Sequence, residues 1–394
     1  MRSGELYRRA VKLYPGGVNS PVRYYEPYPI FFKSGSGGKL EDVDGKYYND
    51  FVLGYGPLIL GHSNPEVIKK VKDRIENGTL FGAPTEEEVE FGELFKRATG
   101  IEMMRVVNSG TEATMHAIRL ALHVSKRKKV LKIRGGYHGT HPYNYLSEYV
   151  EEVEFNDINS ARSKLSSREI GAFILEPVMG NAGVVIPEDG YLEEIEDACR
   201  TYGTPLILDE VITGFRTGFY PYYKSKHIEP DLATFGKIIG GGFPLAAYGG
   251  RESFMRAVRP MGDFPQAGTY SGNPVSITAG LETLKILEKI DYGKLKHLTE
   301  IARNKLSGSG LTVNALTGML SIFFNENPVK RYRDVTDSRR DLYMKLFRSA
   351  IENGIYIPPS FDETMFISFA HTEEDVRESF SFLSEEAGKI WRGR

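Results

Sequence analysis

P-L-I-L-D-E-V-I, residues 205–212, is followed after 25 residues by Lys237 in F-G-K-I-I-G-G-G, residues 235–242. An apolar run ending in an acid reads as a strand buried on both faces. It delivers Asp209 to the carboxyl edge of an open α/β sheet, where ligands bind. A carboxylate there can keep a ring nitrogen protonated, although the same residue can simply cap the next helix or turn. Lys237 follows the strand-like D-L-A-T-F-G. A lysine held against a dry pocket can act as nucleophile and proton shuttle, whereas most lysines are solvated surface charges. The three glycines behind it predict a close approach of backbone to a ligand.

Working outward, helical stretches at 65–76, 86–98, 111–124, 192–202 and 274–289 separate apolar runs at 105–108, 129–133, 172–175, 205–209 and 232–235. That alternation predicts a mostly parallel sheet covered by helices. Before it, a helix over 3–13 ends at Pro15-Gly16-Gly17. Short strands at 30–33, 39–42 and 47–51, with Asp44-Gly45 as a hairpin turn, predict a small antiparallel sheet. After it, strands at 320–325, 354–357 and 365–370, a helix over 338–352 and a closing helix from Glu373 form a separate α+β unit. Helices at 283–290 and 294–306 could bridge the two units.

The balance of 50 basic and 52 acidic residues gives a formal charge of −2, so neither a nucleic acid nor a membrane surface is an expected partner. No run approaches the roughly 18 apolar residues of a membrane span, and the opening M-R-S-G-E-L-Y-R-R-A lacks a signal peptide's apolar stretch. Cys199 stands alone, which excludes an internal disulfide or a thiolate zinc cluster, so the cytoplasm is the expected compartment. Eight histidines without an H-x-H or H-x-x-x-H pair argue against a metal site.

N-S-G-T-E-A, residues 108–113, lies between a strand and a helix. Its backbone N–H groups and hydroxyls form a natural phosphate site, and an ordinary N-cap with Glu112 in the first turn would use the same residues. G-G-Y-H-G, residues 135–139, follows the strand V-L-K-I-R and can offer Tyr137 to stack on a flat cofactor, with His138 as a hydrogen-bonding residue.

In this order the pieces resemble the class III pyridoxal phosphate-dependent aminotransferases of fold type I. P-G-G-V-N-S-P-V-R (15–23), G-P-L-I-L-G-H-S-N-P (56–65), E-P-V-M-G-N (176–181), L-D-E-V-I-T-G-F-R (208–216) and Q-A-G-T-Y-S-G-N-P (266–274) carry the likeness. The first is similar to the family's aminomutases, which shift an amino group within one substrate. The resemblance implies a large cofactor-binding domain over 61–295, with a mostly parallel central sheet covered by helices. A smaller α+β domain would come from both chain ends, 1–60 and 296–394. It implies pyridoxal 5'-phosphate or pyridoxamine 5'-phosphate as cofactor. Lys237 would bond the aldehyde and relay protons, Asp209 pair with the ring nitrogen, and Val211 and Tyr137 cover the ring faces. Ser109, Gly110 and Thr111 would hold the phosphate, helped by Thr269 from the neighbouring subunit of a homodimer. Ser20 and Arg23 would meet the carboxylate of a small amino acid or amino aldehyde, with Tyr55, Asn181 and Glu363 close by. A guanidinium suits that task, gripping a carboxylate through two parallel hydrogen bonds.

Three departures from the family's pattern stand out. Tyr55 replaces a usual tryptophan, Pro265 a usual tyrosine, and the stretch after Gly139 leaves no room for the family's long gating loop. That loop retains a diamino intermediate, so its absence predicts a leakier site. The alternative to the aminomutase is an aminotransferase that takes a β- or ω-amino acid and a keto acid acceptor.

Overall fold

The computed structural model describes residues 2–146 and 148–393. β1 (Phe32–Ser36), β2 (Lys39–Asp42) and β3 (Tyr47–Asp50) form an antiparallel meander. Its second turn follows from the chain's own chemistry. Asp42 Oδ1 accepts from the N–H groups of Asp44 and Lys46, and Gly45 takes the left-handed φ of 90° that a side chain would oppose.

The central sheet contains β4 (Met103–Val107), β5 (Lys129–Ile133), β6 (Val150–Val153), β7 (Ile170–Leu175), β8 (Leu206–Asp209), β9 (Leu232–Phe235) and β10 (Ala246–Gly250). Their spatial order is β4-β10-β9-β8-β7-β5-β6. β10 runs antiparallel to β4 and β9, and every other neighbouring pair is parallel. Each residue of β7, β8, β9 and β10 is buried, because helices cover both faces. The helices Pro65–Glu76 and Pro274–Leu287 start alike: Asn64 and Asn273 accept from the first free N–H groups through Oδ1, and the proline supplies a first residue that needs no acceptor.

At the C-terminal end, β11 (Thr312–Leu316), β12 (Met319–Phe323) and β14 (Met365–Phe366) form a three-stranded antiparallel sheet. β13 (Ile355–Tyr356) leaves that unit to pair in parallel with β3, so the first sheet is completed by residues some 300 positions away. The helix Tyr292–Leu306 packs on the closing helix Glu373–Arg392, tying the end of the central region to the C-terminal one. No helix among the described residues is long and apolar enough to cross a membrane.

Candidate active site

β7, β8 and β9 end side by side, and the residues just past them converge on one cavity of ≈ 190 Å³ with the first turn of the helix Gly110–Ser125 and the loop after β5. Asp209, the last residue of β8, is buried, and its carboxylate is fixed from three sides. Oδ2 lies 2.8 Å from His138 Nδ1, while Oδ1 accepts from the Thr234 hydroxyl at 2.9 Å and from the Val211 N–H at 3.1 Å. The Val211 bond is the turn cap that the sequence also allowed. The same side chain therefore closes its own turn and presents a held acceptor to the cavity. His138 Nε2 is buried without a partner.

Lys237 opens a single 3₁₀ turn, Lys237–Gly240, directly after β9 and Gly236, with a left-handed φ of 46°. Burial lowers its amine to about 8, with Glu363 opposing the shift and Arg216 adding to it. The centre of the Phe366 ring lies 6.0 Å from Nζ and 4.6 Å from the Arg216 guanidinium. The glycine run has a different task from the expected one. A side chain at Gly241 would strike Thr283 Oγ1 at 2.2 Å, and one at Gly242 would meet Leu58, so these residues let the turn pack on the helix Pro274–Leu287 and on the segment 57–61.

Ser109 caps the helix Gly110–Ser125 by accepting from the Glu112 N–H at 3.2 Å, and Glu112 folds back to the Asn108 N–H at 2.6 Å. The N–H groups of Gly110 and Thr111 precede any intrahelical acceptor and face the cavity's rim, with the positive end of the helix dipole. A side chain at Gly110 would press on Val211 at 3.2 Å, and one at Gly139 would overlap Thr111 Oγ1 at 2.6 Å, so the cradle needs both glycines. Tyr137, 43% exposed, and Val211 line the cavity.

Glu176 and Asn181 lie on the loop after β7. Glu176 Oε2 accepts from the Gly180 and Asn181 N–H groups at 2.9 and 3.2 Å, and the Thr364 hydroxyl donates to Gly180 O, clamping this loop to the C-terminal unit. Glu176 is not among the residues expected at the site, although it follows the apolar run Ala172–Leu175 much as Asp209 ends its own.

The remaining expected residues do not line this cavity. Tyr55 sits in a turn where Leu53, Gly54, Tyr55 and Gly56 all have positive φ. Asp50 Oδ1 accepts the N–H groups of Val52 and Leu53 at its start, and Arg216 holds the Gly56 carbonyl at its end. Strain at such positions persists only where neighbours enforce it. The Tyr55 hydroxyl donates to Val22 O at 2.5 Å, inside the short turn Pro21–Arg23 that begins at Ser20. Burial raises the Tyr55 hydroxyl, and Glu363 adds to the shift while Arg23 opposes it, which places those three within one field. Burial pushes Glu363 up to about 7 against the pull of Lys237. Thr269 is exposed on the loop before Asn273 and does not reach the cavity of its own chain.

The sequence profile of the class III aminotransferases matches residues 21–148 and 141–384. The chain belongs to the class III aminotransferases. It is 43% identical to the glutamate-1-semialdehyde 2,1-aminomutase of Thermoplasma acidophilum, over 99% of this chain and 100% of that protein. It is 40% identical to the enzyme of the same name from Methanosphaera stadtmanae, over 99% of each. Among solved structures, it is similar to an omega-transaminase from Sphaerobacter thermophilus, with a TM-score of 0.92 and 28% identity over 98% of this chain and 97% of the other. The alignment with the Thermoplasma protein spans 426 positions against 394 residues here, so that relative carries residues without a counterpart in this chain.

Proposed function

We propose that this chain is a pyridoxal phosphate enzyme that converts glutamate-1-semialdehyde to 5-aminolevulinate, a precursor for tetrapyrrole synthesis. The observation that carries this reading is the 43% identity, along the whole chain, to a protein of that name. The lining of the cavity fits the cofactor in chemistry. It offers a helix N-terminus for a phosphate, a buried carboxylate for a ring nitrogen, an amine for an aldehyde, and two buried polar atoms, His138 Nε2 and Glu176 Oε1, that lack partners.

The cofactor, once bound, supplies an electron sink that stabilises negative charge at a substrate carbon. Asp209, fixed by His138, Thr234 and the Val211 N–H, remains an acceptor that cannot rotate away. Lys237 is neutral in an appreciable fraction near neutral pH, so it can deliver a proton at one substrate carbon and, in a separate step, take one from the neighbouring carbon. Arg23 would grip the substrate carboxylate at the position that the Tyr55 hydroxyl sets through Val22 O. One amino group is added at the aldehyde carbon before another leaves the carbon beside it, so over a full turnover no outside amine or keto acid is consumed.

The active unit under this reading is a cytoplasmic homodimer in which Thr269 completes the partner's phosphate site. Leu80, Phe81 and Tyr270 support it, since they expose apolar surface next to the Asn273 Nδ2 to Thr79 O hydrogen bond. The test of function supplies glutamate-1-semialdehyde alone to the loaded protein. Stoichiometric 5-aminolevulinate is expected. Its absence, together with turnover of a β-amino acid and 2-oxoglutarate, would reject the aminomutase in favour of an aminotransferase.

A further inference from the structure

Two acids enter the same cavity from adjacent strands, and only one has its hydrogen bonds complete. Asp209 faces His138 with Oδ2 and the Thr234 hydroxyl and Val211 N–H with Oδ1, so both of its oxygens have partners. Glu176 is fully buried, and both of its donors, the Gly180 and Asn181 N–H groups, fall on Oε2. Oε1 is buried and has no partner. An ionised Oε1 in that setting would be a desolvated, unpaired charge beside a second carboxylate. The charged groups acting on it are Asp209, which disfavours ionisation, and Lys237, which favours it more weakly than burial opposes it. His138, from the loop after β5, directs Nδ1 to Asp209 and leaves Nε2 unpaired in the same cavity wall.

We propose that Glu176 is the neutral acid of this cavity, which keeps its proton on Oε1 and donates a hydrogen bond from it to the phenolate oxygen of bound pyridoxal phosphate. The assignment rests on the cofactor reading above. It follows from the lining of the cavity: the phosphate has the N-terminus at Ser109–Thr111, the ring nitrogen has Asp209, and Oε1 of Glu176 is a buried oxygen of the same wall that has no partner in the protein. No proton changes owner; Glu176 withdraws charge from the ring through the bond. Burial and Asp209 together hold the Glu176 carboxyl up at about 8, so the donor persists at neutral pH.

Infrared difference spectroscopy of the cofactor-free protein tests the protonation by itself. A carboxylic acid C=O band is expected at about pH 6, lost on raising the pH well above 8 and missing from Glu176→Gln. The absence of a Glu176 band at about pH 6 overturns the proposal even if the cofactor reading stands. Colour titration of the loaded protein tests the hydrogen bond. Glu176→Gln, which retains a donor, should keep the wild-type midpoint of the visible band, and Glu176→Ala should move it up by about one pH unit, the worth of one hydrogen bond. Equal midpoints in wild type and Ala variant would overturn the hydrogen bond. A wild-type protein that gains no colour with cofactor would instead defeat the cofactor reading, leaving the infrared result intact. If the Ala variant does not fold, Glu176→Leu, which also lacks the donor, takes its place in the colour titration, with the same upward shift expected and an unchanged midpoint overturning the hydrogen bond.

Discussion

Arg216, fully buried, donates from Nη2 to the carbonyl of Gly56 at 2.7 Å. Its Nε donates to Ile212 O at 2.8 Å, its guanidinium lies against the Phe366 ring, and no carboxylate pairs with it among the described residues. One side chain thus joins the turn after β8, the turn carrying Tyr55 and the end of β14. Replacing it by methionine keeps much of the bulk but leaves two buried carbonyls without donors. We expect a loss of roughly 2–4 kcal/mol, part of it offset because the buried charge also disappears. Thermal melts of wild type and Arg216→Met check this. A milder loss in Arg216→Lys, which restores one donor, would show that the carbonyl contacts matter more than the charge.

Lys237 gives a pH-dependent prediction whose sign is fixed by its surroundings. An ordinary lysine titrates at 10.5, and burial brings this one down to about 8. The neutral amine is therefore present above about 8 and falls roughly tenfold per pH unit below it. The rate at which added pyridoxal phosphate attaches to the cofactor-free protein, followed by absorbance, should rise with pH and level off near that value. Glu363→Gln removes the carboxylate that favours the charged amine, so its curve should shift to lower pH. The linked effect on stability has the same direction. The unfolded chain stays protonated up to 10.5 while the folded one does not, so stability of the cofactor-free protein should increase between about 8 and 10.5.

How much of this site could be read in advance follows from how local each signal was. Asp209 and Lys237 were legible because each ends or follows a mostly apolar strand, and the strand's direction fixes where its end goes. Glu176 carried the same signal and was passed over, since P-V-M-G-N behind it read as family likeness and not as chemistry. The glycines at 240–242 were assigned to a ligand because permissive backbone looks the same in sequence whether it admits a ligand or a helix. Their neighbours, Thr283 and Leu58, are distant in the chain. β10, A-A-Y-G-G, escaped notice because small residues and glycine are poor strand formers, and only its two neighbours define it. The pairing of β13 with β3 has no local trace at all.

Tyr55→Phe isolates the contact between Tyr55 and Val22. The ring and the positive-φ turn remain, and only the donor to Val22 O is lost. If that bond sets the place of Arg23, the substrate carboxylate should bind less well while proton transfer at Lys237 is left alone. KM should rise about fivefold to tenfold, the worth of one hydrogen bond, with kcat changed less than about twofold. Steady-state kinetics with glutamate-1-semialdehyde check this. A fall in kcat at constant KM would place Tyr55 in the chemistry and not in positioning.

The stretch between Gly139 and β6 bears on what the site can retain. Among the described residues it forms one short helix, Pro142–Tyr145, whose Tyr145 is exposed, and the chain then returns to the sheet at Val150; Ser147 lies outside the described residues. An aminomutase must hold the 4,5-diamino intermediate while its cofactor carries no amine, because loss of that molecule leaves the enzyme in the form that has no amine to give to the amino aldehyde. With so short a cover, some turnovers should end in escape. Protein loaded with pyridoxamine phosphate and given glutamate-1-semialdehyde should then slow progressively, release free diamine detectable by mass spectrometry, and take on the absorbance of the aldehyde form. Adding the diamine to the solution should restore the rate by mass action. A steady rate with no released diamine would show instead that another segment, or the partner subunit, closes the site as well as a long loop would.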